Sequence, residues 1–299
     1  MSIPFVREFA FEYGKPDQIS PRIQRVIAEN PGPFTYTGTG VFIVGTDDVA
    51  IIDPGPDLPD HRRALDEALK GRRLTHVLVT HDHLDHTPLA HPLARDHGCK
   101  VWGISPKPFI EDENAVQMEE GGDVGFKADI ELNDGDQIKG SDWTLSALHT
   151  PGHTSNHVCF AFEEENALFS GDHIMGWSTS VVAPPDGSMG DYLAQLKRIR
   201  AMNFETIIPT HGPEITQTGP FLDAYIEHRL NRERQIIAQL EAGQTQITDM
   251  VEAMYADIDK RLHPAAALSV FSHIIDLVER GRVKTTGKAE LGSVYSLSS

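Results

Sequence analysis

The segment His81-x-His83-x-Asp85-His86 packs four metal-ligand side chains into six residues, directly after the apolar run Val77-Leu78-Val79. Three more such residues stand in the same local setting. His153 follows the run Leu145 to Leu148, Asp172 follows Ala167-Leu168-Phe169, and His211 follows Ile207-Ile208-Pro209-Thr210. Each apolar run reads as a buried strand, and Pro88 suits the first turn of a following helix. A fold that uses these residues together must bring four strand ends to one place, which the loops along one edge of a sheet can do. Gly152 and Gly171 let backbone come close there. Neutral imidazole is a common ligand for zinc and its neighbours, and carboxylate oxygen commonly bridges two divalent ions. Seven such groups are enough for two open sites. The ten other histidines, His157 and His173 among them, fit no ligand spacing and read as ordinary surface or core residues.

Around these motifs the chain alternates strand-like and helical patterns, a layered α/β plan. Val41 to Val44, Val49 to Ile52, His76 to Val79 and Val101-Trp102 read as strands. Asp60 to Leu69, Leu89 to His97 and Met189 to Ile199 read as covering helices. The acidic, Gly-containing stretch Glu111 to Gly140 has weak periodicity and is expected to loop over the surface. Glu163-Glu164-Glu165 reads as a solvated hairpin turn.

From Phe221 the turn-punctuated strands stop. Leu222 to Leu240 is one long helix candidate, followed by helices at Ile247 to Tyr255 and Ala265 to Arg280, the latter with Leu268, Phe271, Ile275 and Val278 on one face. Gly281 caps it, and Val283-Lys284-Thr285 with Val294-Tyr295-Ser296 forms a terminal hairpin. Helix, helix, hairpin is a winged-helix order, so the chain divides into residues 1–226 and a small module, 227–299.

The chain has 299 residues and a net charge of −18. Residues 227–299 hold nine Lys and Arg against ten Asp and Glu, leaving 17 against 34, or −17, for the rest. An acidic body repels a polyanion and makes duplex DNA an improbable partner. The nearest thing to a basic cluster is Arg229, Arg232, Arg234, Arg280, Arg282 and Lys284. No long apolar segment calls for a membrane, and Met1 to Pro16 lacks the apolar core of a secretory signal. Cys99 and Cys159, with no paired spacing, read as buried free thiols of a cytoplasmic protein. A homo-oligomer stays open.

His81-x-His83-x-Asp85-His86 with its three downstream residues resembles the metallo-β-lactamase-fold hydrolases, an αββα sandwich with metals at one edge. Pro33-Phe34-Thr35 with Gly38-Thr39-Gly40, the Trp177-Ser178-Thr179 loop, Gly212-Pro213, and His228-Arg229 followed by Arg232-Glu233 are similar to one subfamily. That subfamily, β-lactamase-like protein 2, carries a C-terminal winged helix and includes endoribonucleases acting on single-stranded RNA. The resemblance implies that His81, His83 and His153 hold one divalent ion, and that Asp85, His86 and His211 hold the second. Asp172 bridges them, and Asp53 orients a ligand imidazole from behind. Zinc is the first expectation, with manganese and iron as alternatives. Thr87-Pro88-Leu89 stands where many members have two glycines, a departure that bears on pocket shape rather than on the ligands.

A water between two cations loses a proton near neutral pH and becomes the nucleophile, so no serine or cysteine is needed. Two divalent ions, two aspartates and one hydroxide sum to +1, a local attraction for an anionic substrate. Asp85 and Asp172 are the carboxylates at the reacting centre. Asp82 is expected to be solvated or to stand behind the ligands. Ser178, Thr179 and Ser180 are candidate substrate contacts. The sequence leads first to short single-stranded RNA as substrate, with an acyl compound (thioester such as S-lactoylglutathione, lactone or β-lactam) as the alternative. A winged-helix binding protein with purely structural metals is the alternative of another class.

Overall fold

A computed structural model describes residues 2–107, 121–123, 125–256 and 259–298. Four antiparallel strands come first: β1 (Asp17–Ser20), β2 (Ile23–Ile27), β3 (Gly40–Val44) and β4 (Asp48–Ile52). Helix α1 (Pro59–Ala68) leads to β5 (Arg73–Leu78), and α2 (Ala90–His97) leads to β6 (Lys100–Gly103) and then β7 (Ile130–Glu131). These seven strands pair in chain order, and the joins from β4 to β7 are parallel. A parallel join needs a crossover, which α1 and α2 supply.

The second sheet contains β8 (Gln137–Lys139), β9 (Thr144–His149), β10 (Val158–Phe162), β11 (Ala167–Gly171) and, after α3 (Met189–Met202), β12 (Thr206–Pro209). Its order is β12-β11-β10-β9-β8, antiparallel except between β11 and β12. The two sheets stack because β3, β4, β10 and β11 at their centres are buried on both faces. Phe42 and Val44 of β3 and Phe160 and Phe162 of β10 point into the space between the sheets. Their neighbours Val41 and Ile43 pack under α1 and α2, while Cys159 and Ala161 pack under α3. Side chains alternate faces with period two, so one strand serves two cores. The result is the αββα sandwich.

Helix α4 (Thr218–Glu241) gives Phe221, Leu222 and Tyr225 to the core under the second sheet, then Ile236 and Leu240 to a separate apolar cluster. That cluster belongs to α5 (Ile247–Met254), α6 (His263–Glu279), β13 (Val283–Thr285) and β14 (Tyr295–Leu297), a winged helix. The expected boundary between 226 and 227 thus falls within one continuous helix. Gly281 (φ +69°) ends α6, with Gly281 N donating to Val278 O and Arg282 N to Leu277 O, both at 2.9 Å. Only a residue at ease with positive φ stops a helix this way.

Several expectations need correction. The stretch expected to loop, Glu111 to Gly140, contains β7 and β8, strands of two and three residues at sheet edges, too short for a period to show. Its residues 111–120 and 124 lie outside the described residues. Pro88 precedes α2 by two positions rather than sitting in its first turn. Cys159 is buried, but Cys99 is only half-buried; both are free. Glu163–Glu165, by contrast, is the expected solvated turn of a hairpin, a single 3-10 turn joining antiparallel β10 and β11 with Glu163 and Glu164 exposed. Among the described residues, no helix is long and apolar enough to cross a membrane.

Candidate active site

The ends of β5, β9, β11 and β12 meet at one edge of the sandwich, and the loops beyond them carry all seven predicted residues. Their ligand atoms form three overlapping sets, each mutually within 4.8 Å: His81, His83 and His153; His81, His86 and Asp172; Asp85, His86 and His211. Asp172 thus lies between the two trios that the resemblance implied. Its Oδ2 is 3.3 Å from His211 Nε2 and its Oδ1 is 3.8 Å from His86 Nε2. Asp85 Oδ2 is 3.3 Å from the Nε2 of both His86 and His211. His81 Nε2 and His83 Nδ1 stand 2.9 Å apart.

Four of the imidazoles are oriented through Nδ1. His153 faces Val181 O at 2.7 Å and His211 faces Gly38 O at 3.2 Å; a carbonyl only accepts, so Nδ1 carries the hydrogen. His86 Nδ1 faces Asp53 Oδ2 at 3.0 Å. His81 Nδ1 faces Thr80 Oγ1 at 3.0 Å, a hydroxyl whose own hydrogen goes to Asp53 Oδ2 at 2.7 Å. In every case Nε2 is left facing the shared centre, the arrangement in which an outer partner fixes a metal-ligating tautomer. Asp53 directly follows β4 at φ +48° and also accepts from Thr80 N at 2.7 Å.

Burial and charge divide the site electrostatically. Burial first, then the neighbouring imidazoles, pushes His81 far below its usual range and His83 down to about 3, so both are neutral donors. Burial works the same way on His211, but Asp172 and Asp85 outweigh it and push that imidazole up to about 10. His86 is raised well above its usual range, against the effect of burial, by Asp85, Asp53 and Asp172. Burial would raise the Asp85 carboxyl; His86 and His211 overcome it and hold the group well below the carboxylate range. These carboxylates thus favour positive charge on the side of His86 and His211. His86 Nε2 and Asp172 Oδ1 are still buried without a hydrogen-bond partner. A donor set of nitrogen and carboxylate oxygen, with buried atoms unpartnered at its centre, fits divalent ions.

This has a measurable consequence. A cation must displace the protons on His86 and His211, so loading the metal-free protein at pH 8 releases protons. Affinity rises with pH until it passes the raised imidazole range near 10. Calorimetry in buffers of different ionisation enthalpy reads the proton count directly; a pH-independent affinity contradicts the charge pattern.

Several residues of the site were not found from the sequence. His157, set aside there as ordinary, is buried; its Nδ1 faces Thr150 Oγ1 at 2.8 Å and its Nε2 accepts from Asp172 N at 3.2 Å. The signal was its place opposite Thr150, one step beyond the His149–Val158 pair of β9 and β10. A Cβ on Gly171 would lie 2.6 Å from His157 Nε2, and one on Gly152 would lie 2.4 Å from Tyr192 Cα, so both positions require glycine. Thr39 Oγ1 donates to Asp85 Oδ2 at 2.8 Å. Asp82 is buried rather than solvated, and burial pushes its carboxyl up to about 6. Ser178 and Thr179 are partly exposed, whereas Ser180 is buried with its hydroxyl donating to His173 O at 3.0 Å. That hydroxyl is turned into the protein and serves the loop rather than a substrate.

Residues 36–211 match the metallo-beta-lactamase superfamily, and residues 247–291 match the beta-lactamase associated winged helix domain. The chain belongs to the metallo-beta-lactamase superfamily. It is a hydrolase of that superfamily with a C-terminal winged helix. It is 33% identical over 251 residues to the beta-lactamase-like protein 2 homolog of Caenorhabditis elegans, covering 81% of this chain and 79% of that one. It is 34% identical over 233 residues to an atrochrysone carboxyl ACP thioesterase of Cryptosporiopsis, covering 77% of this chain and 66% of the relative, slightly under two thirds. A beta-lactamase domain protein from Burkholderia ambifaria shares the fold at a TM-score of 0.80 and 18% identity, over 99% of this chain and 97% of the other.

Proposed function

We propose that this superfamily member is a dinuclear metal-dependent hydrolase whose substrate is an acyl thioester. His81, His83 and His153 would hold one divalent ion, Asp85, His86 and His211 the other, and Asp172 both, with zinc as the first choice. Such a pair supplies Lewis acidity, polarising a scissile carbonyl and lowering the pKa of a coordinated water from about 15.7 to about 7. The observation that carries the reading is the set of four imidazoles, each held at Nδ1 with Nε2 turned to a common centre. Asp85 is placed to take a proton from attacking water, with Thr39 keeping its Oδ2 aimed. Ser178 and Thr179, partly exposed on the loop after Asp172, would contact the substrate.

Two observations favour a thioester over a polyanion. One is the 34% identity with a protein named as an ACP thioesterase. The other is the fate of the basic cluster, whose arginines each have a carboxylate, ring or carbonyl partner within this chain. Arg280 pairs with Glu233 and Asp276, Arg282 with Glu233, and Arg234 with Glu227. Arg229 is buried, and Arg232 lies over the Tyr255 ring at 4.4 Å. Little remains to offset a −17 body. The second reading is the one that the subfamily resemblance implied, cleavage of short single-stranded RNA, and the 33% identity with a beta-lactamase-like protein 2 homolog favours it.

Steady-state kinetics on a panel separates the two: an acyl thioester of N-acetylcysteamine, S-lactoylglutathione, an acyl-homoserine lactone, a cephalosporin and unstructured RNA. The thioester is expected to give the highest kcat/KM, by about tenfold or more, a transition-state preference of roughly 1.4 kcal/mol. Metal-dependent turnover confined to RNA overturns the thioester reading and returns the first expectation from sequence.

A further inference from the structure

Arg229 is 4% exposed, and no described carboxylate pairs with it. A guanidinium taken out of water without a counter-charge is costly, and a residue kept only for packing would be apolar. Its surroundings show what it holds. The group lies 5.1 Å from the Tyr192 ring and 6.0 Å from the Tyr225 ring, and its Nη2 donates to Ser180 O. Two aromatic faces lessen the cost of burying the charge.

Ser180 sits within the loop that joins two parts of the site. Asp172 begins that loop, which runs to the start of α3, and the Val181 carbonyl within it accepts from His153 Nδ1 at 2.7 Å. Tyr225 fastens the same loop, its hydroxyl accepting from Ser180 N at 2.7 Å and facing Ser178 O at 3.2 Å. Ser180 and Tyr192 fasten its start, their hydroxyls donating to His173 O at 3.0 and 2.8 Å. Arg229 and Tyr225 are one helical turn apart on α4, the helix that continues into the winged-helix core through Ile236 and Leu240.

We propose that Arg229 is a positioning residue: by holding the Ser180 carbonyl it keeps the adjacent Val181 carbonyl aimed at His153 Nδ1, and so couples α4 and the winged helix to the metal centre. The inference rests on the metal-dependent reading above. It assigns the α4 side chain a duty toward one ion rather than both, because His86 and His211 are oriented from Asp53 and Gly38, on the other sheet.

The test uses the full chain with Arg229→Gln, Arg229→Ala and Arg229→Lys, and with Arg234→Gln, an exposed position on the same helix, as control. Chelator competition with zinc should show one of the two ions bound about tenfold more weakly in Arg229→Gln and Arg229→Ala, the size expected for an outer partner of a ligand, and the other within about twofold. Guanidinium ion at millimolar concentration should restore part of the lost affinity in Arg229→Ala but not in Arg229→Gln, whose side chain fills the space. In the metal-free protein, imidazole 15N spectra should lose the single Nδ1–H tautomer of His153 in Arg229→Gln. Arg229→Lys keeps the charge without the fork and should fall between wild type and Arg229→Gln. Arg229→Gln or Arg229→Lys that is folded by circular dichroism, binds both ions within about twofold of wild type and keeps the His153 tautomer overturns the proposal. Absence of guanidinium rescue in a folded Arg229→Ala also counts against it. Wild type that binds fewer than two ions defeats the dinuclear reading instead, and the His153 spectra still decide the role of Arg229.

Discussion

Asp172→Ala is expected to abolish nearly all turnover while leaving the fold in place. Its two carboxylate oxygens face His86 and His211, and among the described residues it is the one aspartate that shares a ligand set with His81. Removing it takes one negative charge and the link between the two trios. The expected loss in kcat/KM is on the order of 10³-fold, or about 4 kcal/mol of transition-state stabilisation. On the dinuclear reading proposed above, bound metal should fall from two ions per chain to no more than one, since each trio would then lack its shared oxygen. The fold survives because the local backbone does not depend on the side chain: Asp172 N donates to His157 Nε2, a bond that alanine keeps. Elemental analysis, kinetics on whichever substrate the panel selects and circular dichroism check the three statements separately. Full activity with two ions bound sinks the ligand assignment.

The second large effect is expected at Asp53, which touches no substrate. Its carboxylate is fully buried and accepts from Thr80 N, Thr80 Oγ1 and Thr210 Oγ1, and faces His86 Nδ1. Asp53→Ala leaves these donors facing an apolar cavity. Each orphaned buried donor costs about 1–3 kcal/mol, and partial relaxation brings the total to about 3–5 kcal/mol, the range seen when one partner of a buried polar set is removed. Tm should drop by on the order of 10 °C. Metal affinity should weaken by about 10–100-fold, because both His86 and, through Thr80, His81 lose their fixed orientation. Asp53→Asn is the informative comparison. Asparagine tolerates the φ of +48° as readily as aspartate does, so the backbone is spared, but its amide turns a donor toward donors. It should therefore be less unstable than Asp53→Ala yet still weak in metal binding. Calorimetric unfolding with chelator competition settles this; an Asp53→Ala protein matching wild type in both rules out the supporting role.

The seven central residues were readable because they follow four apolar runs, four of them in one short segment and the other three each after a run of its own. A strand that must be buried, followed by a residue whose only strong chemistry is ligation, states its purpose locally. The helix, helix, hairpin order after Phe221 is local in the same sense, whereas the faces of β3 and β10, apolar at every position, are set only by the layers that the fold puts on either side. Strands β7 and β8 carry too few residues for a period and exist because a longer neighbour offers them an edge.

What the sequence determined by itself, then, is the inventory of ligand atoms, a layered α/β plan and the winged-helix order. Only the tertiary structure decided what holds those atoms still and where the charges go. Thr80 and Asp53 are 27 positions apart, Arg229 and Ser180 49, His211 and Gly38 173, and each pair is joined by a single hydrogen-bonded contact or two. A threonine, a carbonyl oxygen or an arginine has no distinctive neighbours in the chain that mark it for such work. The arginines after Glu227 show the same limit from the other side. As a list they resembled a patch for a polyanion, but packing α4 against α6 and the Ser180 loop turned them toward Glu233, Asp276 and a buried carbonyl. The free energy of a buried polar contact depends on a partner brought near by the fold of the whole chain, and no stretch of sequence contains that partner.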